Sequence, residues 1–460
     1  MDSAAAMLQE MRALSVEELL LPLLVQLVVI LAMARIFGAL FRRMGQPVVV
    51  GEIAAGLILG PSVLGRLAPD LFAGLFHPTL GSLPPEASDL LLSKILTALA
   101  QIGLMLLLFL VGMEFDFGHL KWNGKSALAI SLTGIIVPFA MGGILGLGVH
   151  DWVAPDKDRT GFILFLGTAM SITAIPILGR LMMEMGVTRT RIASVTIASA
   201  AVDDAMGWIL LATVAAITRA SFSPLGTGGM IAATLAFGLL MVFVMRPLLR
   251  RAARWSLETG NGELGVNSLA GLLVLLFLCG LITNRIGIFA IFGAFLLGAV
   301  LSEENDFREA VNRRLRDFVT SFFLPIFFAY TGLRTNIGTL DGWQMWALAG
   351  LVSLVAILGK FGGCALAAWL SGFSPREAGC IGVMMNTRAL MELIVINVGK
   401  DLGVIPDSVY CMLVLMAVLT TFMTTPILIR LMPGTELEPY IRESGFLTRG
   451  GAKGGRTEPA

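Results

Sequence analysis

The feature that most constrains this chain is a series of thirteen apolar segments separated by short polar stretches. They lie near 19–41, 46–65, 94–114, 126–149, 161–184, 191–218, 226–248, 265–284, 287–302, 318–333, 343–371, 377–399 and 405–431. Runs of about 17–25 apolar residues have the length of a helix that crosses a bilayer. Only 14% of the residues are charged, whereas a soluble domain carries about 25%. The sequence therefore predicts an all-α polytopic membrane protein with about 13 transmembrane helices.

The basic residues indicate how these helices are oriented. If the N-terminus is outside, the loops and helix ends that face inward carry about twice as many Lys and Arg residues as those that face outward. Arg42, Arg43 and Arg250 belong to the inward group, whereas Arg66 and Lys157 belong to the outward group. We therefore expect a multi-pass protein of the cell inner (plasma) membrane, with its N-terminus outside and its C-terminus in the cytoplasm.

Three regions follow from this pattern. We expect a polar N-terminal segment at 1–18 on the outside and a transmembrane domain at 19–432. The remaining 433–460 form a short cytoplasmic tail, and its glycines and mixed charges predict disorder.

Two of the apolar segments are poor continuous helices. The fifth contains Pro176, which lacks a backbone donor, and Ser171 and Thr173, whose hydroxyls can bond to the freed carbonyls. The twelfth contains MMNTRALMELIVINVG at 384–399. Both occupy the fourth place in a five-helix unit, at about 46–218 and 287–431, and the units begin seven crossings apart. They therefore have opposite orientations, which is the inverted-repeat arrangement of secondary transporters.

Charged residues within the apolar segments mark the candidate functional site. Each costs about 2.5–3.5 kcal/mol at the centre of an inserted helix, so each is a functional hypothesis. Five are clear and a sixth lies closer to a segment end: Asp203, Asp204, Lys360, Arg388, Glu392 and, as the sixth, Glu52.

The adjacent carboxylates Asp203 and Asp204 are the most informative of these residues. Neighbours on a helix point about 100° apart, so the two cannot have the same role. An unpaired ammonium in the middle of the membrane is unfavourable, so Lys360 needs a carboxylate partner, which either aspartate could supply. The alternatives are structural: the aspartates could cap neighbouring helices, and Lys360 could extend to the membrane surface.

Arg388 and Glu392 are four residues apart and share one helix face. Two roles remain open for them. They could hold a broken helix together by pairing with each other and with unpaired carbonyls, or they could act directly in gating or ion coordination.

Together these groups can bind both a cation and a proton. A hard monovalent cation needs oxygen ligands, which Asp203, Asp204, Ser171 and Thr173 could supply together with backbone carbonyls. A buried carboxylate also binds protons, because loss of water disfavours its charged form. If the site opens alternately to each side, this competition produces exchange of a cation for protons. We expect no enzymatic activity, no cofactor and no nucleic-acid partner.

Six motifs in order give a family resemblance. They are QPVVVGEIAAGLILGPSVLG (46–65), LMLLLFLVGMEFD (104–116), SITAIPILGRL (171–181), VDDAMGWILLA (202–212), ILGKFGG (357–363) and MNTRALMELIVINVG (385–399). With them the chain resembles the monovalent cation:proton antiporter superfamily, in its second branch. That branch includes Kef-type and plant cation/H⁺ exchangers and bacterial Na⁺/H⁺ antiporters.

The resemblance implies a homodimer in membrane lipid, in which a core domain carries the ion past a dimerisation domain by an elevator motion. It also implies that Asp203 pairs with Lys360, that Asp204 binds the cation and the proton, and that Thr173 lies near this site. The Asp-Asp pair resembles Na⁺/H⁺ antiporters, whereas the segment 386–399 resembles K⁺-associated exchangers. Na⁺/H⁺ exchange is therefore the first expectation and K⁺/H⁺ exchange the alternative.

Two other classes fit the residues less well. A cation channel would need a ring or filter of ligands, whereas this chain has a buried charge pair. An intramembrane aspartyl protease needs two aspartates that share a water molecule from facing helices, and adjacent residues on one helix diverge.

Overall fold

The computed structural model describes residues 14–44, 46–114, 124–173, 178, 182, 185–187, 190–219, 224–260, 262–388 and 390–443. Within these ranges the regular structure is helical and contains no strand. Contacts divide the chain into two units. Unit 1 comprises Met1–Phe37, Glu52–Asp116 and Ala215–Leu340, and unit 2 comprises Gly38–Gly51, Phe117–Val214 and Asp341–Ala460.

In chain order the described α-helices are α1 (Val16–Arg43), α2 (Val48–Leu59), α3 (Leu64–Leu67), α4 (Pro69–Phe76), α5 (Pro85–Met113), α6 (Gly124–Val153), α7 (Arg159–Ser171), α8 (Arg191–Arg219), α9 (Pro224–Leu239), α10 (Arg246–Thr259), α11 (Val266–Ile286), α12 (Ala290–Leu301), α13 (Asn305–Phe318), α14 (Leu324–Leu333), α15 (Gly342–Ile357), α16 (Gly363–Leu370), α17 (Pro375–Met385), α18 (Leu390–Asp401), α19 (Asp407–Leu431) and α20 (Leu437–Glu443). The π-helical turns Leu240–Met245, Val319–Phe323 and Leu358–Gly362 join α9 to α10, α13 to α14 and α15 to α16.

The prediction of an all-helical, multi-pass membrane protein is confirmed. Nine helical stretches among the described residues are long and apolar enough to cross a membrane. Many of their large apolar side chains are exposed, for example Phe243 and Val274. A protein in water rarely exposes so many large apolar side chains, whereas a bilayer would cover them.

Two predicted segments have different lengths in the structure. The ninth corresponds to α12, which has only 12 residues. The tenth, predicted at 318–333, is the second half of a helical stretch that starts at Asn305 and continues through a π-helical turn to Leu333. The polar residues of α13 hid this continuity, because hydropathy detects only the apolar half of such a helix.

The prediction of disorder for the whole tail is wrong at its beginning. Residues Leu437–Glu443 form α20, and both Leu437 and Ile441 are fully buried. These side chains are four residues apart and therefore lie on one helix face. The Gly434 N–H and the Arg442 guanidinium both donate hydrogen bonds to Glu438 and hold its pKa below the usual value.

In unit 1, neighbouring helices pack through glycines. A Cβ atom on Gly112 of α5 would overlap the Phe295 carbonyl of α12, and one on Gly298 of α12 would overlap the Phe109 carbonyl of α5. The backbones of α5 and α12 are thus in direct contact, as is common between membrane helices.

Unit 2 has an apolar core formed by side chains such as Met385, Cys380 and Leu428, to which Leu437 and Ile441 of α20 also belong. The backbone N–H of Ile192, in the first turn of α8, donates a hydrogen bond to the Glu436 carboxylate. Negative charge at a helix N-terminus is favourable, so the start of the tail stabilises the start of α8.

Candidate functional site

Two interrupted helices of unit 2 meet at the candidate site. Helix α7 ends at Ser171, and Ile172 is extended with φ −92° and ψ 144°. A second break separates α17, which ends at Met385, from α18, which begins at Leu390. The Thr173 hydroxyl donates a hydrogen bond of 2.7 Å to the Met385 carbonyl and so joins the two breaks.

Both breaks lie in the segments where the sequence predicts them. The first begins at Ser171, five residues before Pro176, and Pro176 itself lies outside the described residues. The helix therefore ends before the proline is reached.

Lys360 lies in the π-helical turn Leu358–Gly362 and is completely buried. Its Nζ donates to the Gly134 carbonyl at 2.8 Å and to the Ser171 carbonyl at 2.5 Å. It also contacts Asp203 Oδ1 at 2.8 Å and Oδ2 at 2.9 Å. An ammonium has three donors, and these three partner groups can use all of them.

Asp203 and Asp204, both from α8, have very different surroundings. Asp203 accepts from Lys360 with both oxygens, and its Oδ2 also accepts from the Thr173 backbone N–H at 2.8 Å. Asp204 is only 1% exposed, yet neither of its carboxylate oxygens has a hydrogen-bond partner among the described residues. The rotation of about 100° between adjacent helix residues therefore separates a fully bonded carboxylate from an unpartnered one.

Arg388 lies in the second break and is completely buried. Its guanidinium donates to the carbonyls of Ala169 at 2.9 Å and Met170 at 2.5 Å, at the end of α7. It also donates to the Ala356 carbonyl at 3.2 Å, just before the π-helical turn. Carbonyls at a helix C-terminus and beside a π-turn lack their usual helical partners, and Arg388 supplies the missing donors.

Glu392 is buried in the first turn of α18, four residues after Arg388, and its Oε2 lies 3.6 Å from Arg388 Nη1. Neither carboxylate oxygen has a hydrogen-bond partner in the described part of the chain. The sequence left open whether Arg388 pairs with unpaired carbonyls or acts in gating or ion coordination. In the structure Arg388 bonds to such carbonyls. Glu392 is an ion-pair partner at longer range.

The two predicted hydroxyl ligands differ in what they contact. Ser171 Oγ donates back to the Thr168 carbonyl at 2.9 Å within its own helix, whereas Thr173 reaches the other broken helix. Glu52, the sixth charged residue, lies in α2 within unit 1 and is buried there. The structure thus brings together Asp203, Asp204, Lys360, Ser171, Thr173, Arg388 and Glu392 in unit 2.

Two groups of this site, the Gly134 carbonyl and Asn386, were not predicted. Gly134 contributes a backbone carbonyl to Lys360. Asn386 follows α17 and is buried, and the neighbouring Thr387 hydroxyl donates to Thr424 Oγ1 of α19 at 3.2 Å. The only sequence signal for Asn386 and Thr387 was their polarity within an apolar segment, and Gly134 gave none that distinguishes it from a packing glycine.

The charges of this cluster and its oxygen atoms decide which ions it suits. Among the described residues, no group of three or more His, Cys, Asp or Glu could hold a metal ion in the manner of a resident metal site. The unpartnered carboxylate of Asp204 can instead accept one cation at a time, either a proton or a monovalent metal ion. Lys360 and Arg388 donate hydrogen bonds to the last carbonyls of α7, and Asp204 accepts none from a described residue.

The profile of the family described as "Sodium/hydrogen exchanger, transmembrane" matches residues 28–431. The chain belongs to this family. The resemblance drawn from the six motifs is thereby confirmed.

Individual relatives differ in length and in the ion that they are named for. The chain is 37% identical to the Na(+)/H(+) antiporter NhaS4 of Synechocystis sp. over 417 residues, which cover 90% of this chain and 98% of that protein. It is 37% identical to Cation/H(+) antiporter 17 of Arabidopsis thaliana over 421 residues, which cover 91% of this chain and 49% of the relative. It is 30% identical to K(+)/H(+) antiporter 1 of Saccharomyces cerevisiae over 410 residues, which cover 88% of this chain and 46% of the relative. The chain thus spans about half the length of the plant and yeast relatives.

Among solved structures, the chain resembles the sodium proton antiporter MjNhaP1 from Methanocaldococcus jannaschii, with a TM-score of 0.57 and 16% identity. The similarity covers 92% of this chain and 99% of that one. At this level of identity the comparison supports the fold, and the site must be argued from the residues of this chain.

Proposed function

We propose that this protein is a secondary antiporter that exchanges a monovalent cation for H⁺ by alternating access. Family membership supports the class of activity, and its named relatives are transporters rather than enzymes. In this proposal unit 2 is the ion-carrying core, because it contains the buried Asp203, Asp204, Lys360, Arg388 and Glu392.

The observation that carries the proposal is the unpartnered carboxylate of Asp204. A buried carboxylate with no hydrogen bond is unfavourable as an isolated anion, so it favours either a proton or a metal cation. Asp203 cannot compete equally, because Lys360 and the Thr173 N–H already occupy its oxygens. Cation and proton therefore compete at Asp204, while Asp203 and Lys360 stay paired beside it.

Na⁺ is the proposed cation and K⁺ the alternative. The Asp203–Asp204 pair favours Na⁺, and NhaS4, a relative that matches over nearly its whole length, is named for Na⁺. The yeast relative is named for K⁺, which keeps K⁺ as the second candidate. We also propose a homodimer in the inner membrane with its N-terminus outside, supported by the family resemblance and the distribution of basic residues.

The test uses the purified chain in proteoliposomes that enclose a pH-sensitive dye and carry a preset proton gradient. We expect Na⁺ to dissipate the gradient with a saturable rate, and Li⁺ and K⁺ measured separately give the ion preference. Asp204→Asn should reduce the exchange to the background of empty vesicles, because an amide cannot take up a proton in place of the cation. Asp306→Asn, at an exposed position of α13, is the matched control and should exchange like the unmodified chain.

Two results would contradict the proposal in different ways. If none of the three cations dissipates the gradient, the antiport proposal is wrong. If Asp204→Asn exchanges at the full rate, the protein is an antiporter but Asp204 is not its principal carboxylate. Flux that does not saturate and moves no protons would favour a cation channel instead.

A further inference from the structure

The oxygen atoms at the two helix breaks differ in whether a protein group already occupies them. Lys360 and Arg388 together bond to the last three carbonyls of α7. Thr173 Oγ1 bonds to the carbonyl of Met385, the last residue of α17. Each of these carbonyls therefore already accepts a hydrogen bond from a side chain, and a cation would have to compete with that donor.

Asn386 is the exception next to the second break. It follows α17 directly, is 2% exposed, and its backbone N–H bonds to the Gly382 and Val383 carbonyls at 3.0 and 3.2 Å. The backbone is thus held as the end of the helix. The side-chain Oδ1 is buried and has no hydrogen-bond partner among the residues that the structure describes. An unpartnered buried acceptor is unfavourable because it has lost its water without gaining a donor, so this oxygen favours a ligand.

Two hydrogen bonds through Thr173 connect Met385 with Asp203, the residues that directly precede Asn386 and Asp204 in the chain. Met385 accepts from the Thr173 hydroxyl, and the Thr173 backbone N–H donates to Asp203. Asn386 follows Met385 and Asp204 follows Asp203, and consecutive Cα atoms are about 3.8 Å apart. The unpartnered amide oxygen and the unpartnered carboxylate therefore belong to the same small region of unit 2.

We infer that Asn386 Oδ1 is a ligand of the transported cation together with the Asp204 carboxylate, and that it contributes to the preference among Na⁺, K⁺ and Li⁺. This inference rests on the proposed antiport. A hard cation is held by several oxygen ligands that replace its water, whereas a proton needs only one carboxylate oxygen. An amide oxygen is neutral and does not take up a proton near neutral pH. Asn386 thus strengthens binding of the metal cation without strengthening binding of the proton.

The experiment compares Asn386→Ala and Asn386→Ser with the unmodified chain in the same proteoliposomes. Initial rates are measured against Na⁺, K⁺ and Li⁺ concentration at several pH values. For Asn386→Ala we expect the KM for the preferred cation to rise about tenfold, which corresponds to one lost ligand interaction. The ratios of KM among the three cations should change as well. The pH at which KM starts to rise through proton competition should not move, because Asp204 is unchanged.

Thr387→Val is the matched control. Thr387 is also buried in the same break, but its hydroxyl already has a partner in Thr424. This variant should lower the thermal stability without changing the KM ratios. Asn386→Ser, which keeps an oxygen on a shorter side chain, should give KM values between those of the unmodified chain and Asn386→Ala.

A second readout does not depend on transport. Binding of Na⁺ to the detergent-solubilised protein raises its unfolding temperature by mass action, and Asn386→Ala should need about tenfold more Na⁺ for the same rise. The inference is overturned if Asn386→Ala keeps the KM ratios of the unmodified chain, or if only its maximal rate falls. In either case the unmodified chain still exchanges cations for protons, so the proposed antiport stands. If the unmodified chain itself does not exchange, the proposed function fails first.

Discussion

Units 1 and 2 differ in how the backbone carbonyls of their buried helices are hydrogen-bonded. In unit 1, α5 and α12 pack through Gly112 and Gly298, with backbone against backbone. The helices are continuous there, so their own hydrogen bonds already satisfy the carbonyls. In unit 2, α7 and α17 end inside the fold, and Lys360, Arg388 and Thr173 bond to the carbonyls at these ends. In unit 2, the buried cations Lys360 and Arg388 therefore lie at the ends of interrupted helices.

Substitutions in the two units should therefore lower the stability by different amounts. A glycine contact depends on shape alone, and its loss leaves no polar group unpaired. A buried cation that bonds to carbonyls and to a carboxylate cannot be removed without leaving several polar atoms unpaired.

The largest effect is expected for Lys360→Gln. The substitution leaves the buried Asp203 charge without its partner, which typically destabilises a protein by about 3–5 kcal/mol. We expect a strongly lowered unfolding temperature in detergent and loss of exchange.

The double variant Asp203→Asn/Lys360→Gln serves as its control. It removes both charges of the pair, so it should recover much of the lost stability, although the exchange should remain impaired. If Lys360→Gln alone unfolds at the temperature of the unmodified chain, the ion pair does not stabilise unit 2 as the geometry indicates.

A smaller loss is expected for Gly298→Ala in unit 1. The added Cβ would overlap the Phe109 carbonyl, so α5 and α12 must move apart, at a typical cost of about 1–3 kcal/mol. The control is Gly271→Ala in α11, where a Cβ would meet nothing within 4 Å. Thermal unfolding should show a loss for the first variant and no loss for the second, since alanine is the better helix former. The KM for the cation should be unchanged in both, and a changed KM would contradict the separation of roles between the units.

Much of the fold was predictable, because hydropathy measures the property that a bilayer selects. The contact between Lys360 and an aspartate was also predictable, since an isolated charge in the membrane is so unfavourable that few partners are available. The order of six motifs identified the family, which the family profile confirms.

The details that the sequence could not give are mostly backbone contacts. Arg388 bonds to the carbonyls of Ala169, Met170 and Ala356, and every residue has such a carbonyl, so its sequence gives no sign of a special partner. The end of α7 at Ser171, five residues before Pro176, fits a proline that lacks the N–H for the carbonyl four residues earlier. Helix α20 was missed because it is short and only two of its side chains, Leu437 and Ile441, are buried.

The smallest effect is expected for Glu303→Gln, which removes an ion pair of unit 1 rather than one of unit 2. The Glu303 side chain is 44% exposed and bonds to Arg246 and Arg250. Exposed pairs contribute about 0–1 kcal/mol, and their charges are screened at physiological salt over about 8 Å. We therefore expect a slight fall in the unfolding temperature at low salt that disappears when salt is added, with exchange unchanged. The loss in Lys360→Gln should persist at the same high salt, because the water and ions that screen Glu303 do not reach a completely buried pair. A loss in Glu303→Gln as large and as insensitive to salt as that in Lys360→Gln would show that burial does not distinguish the ion pairs of the two units.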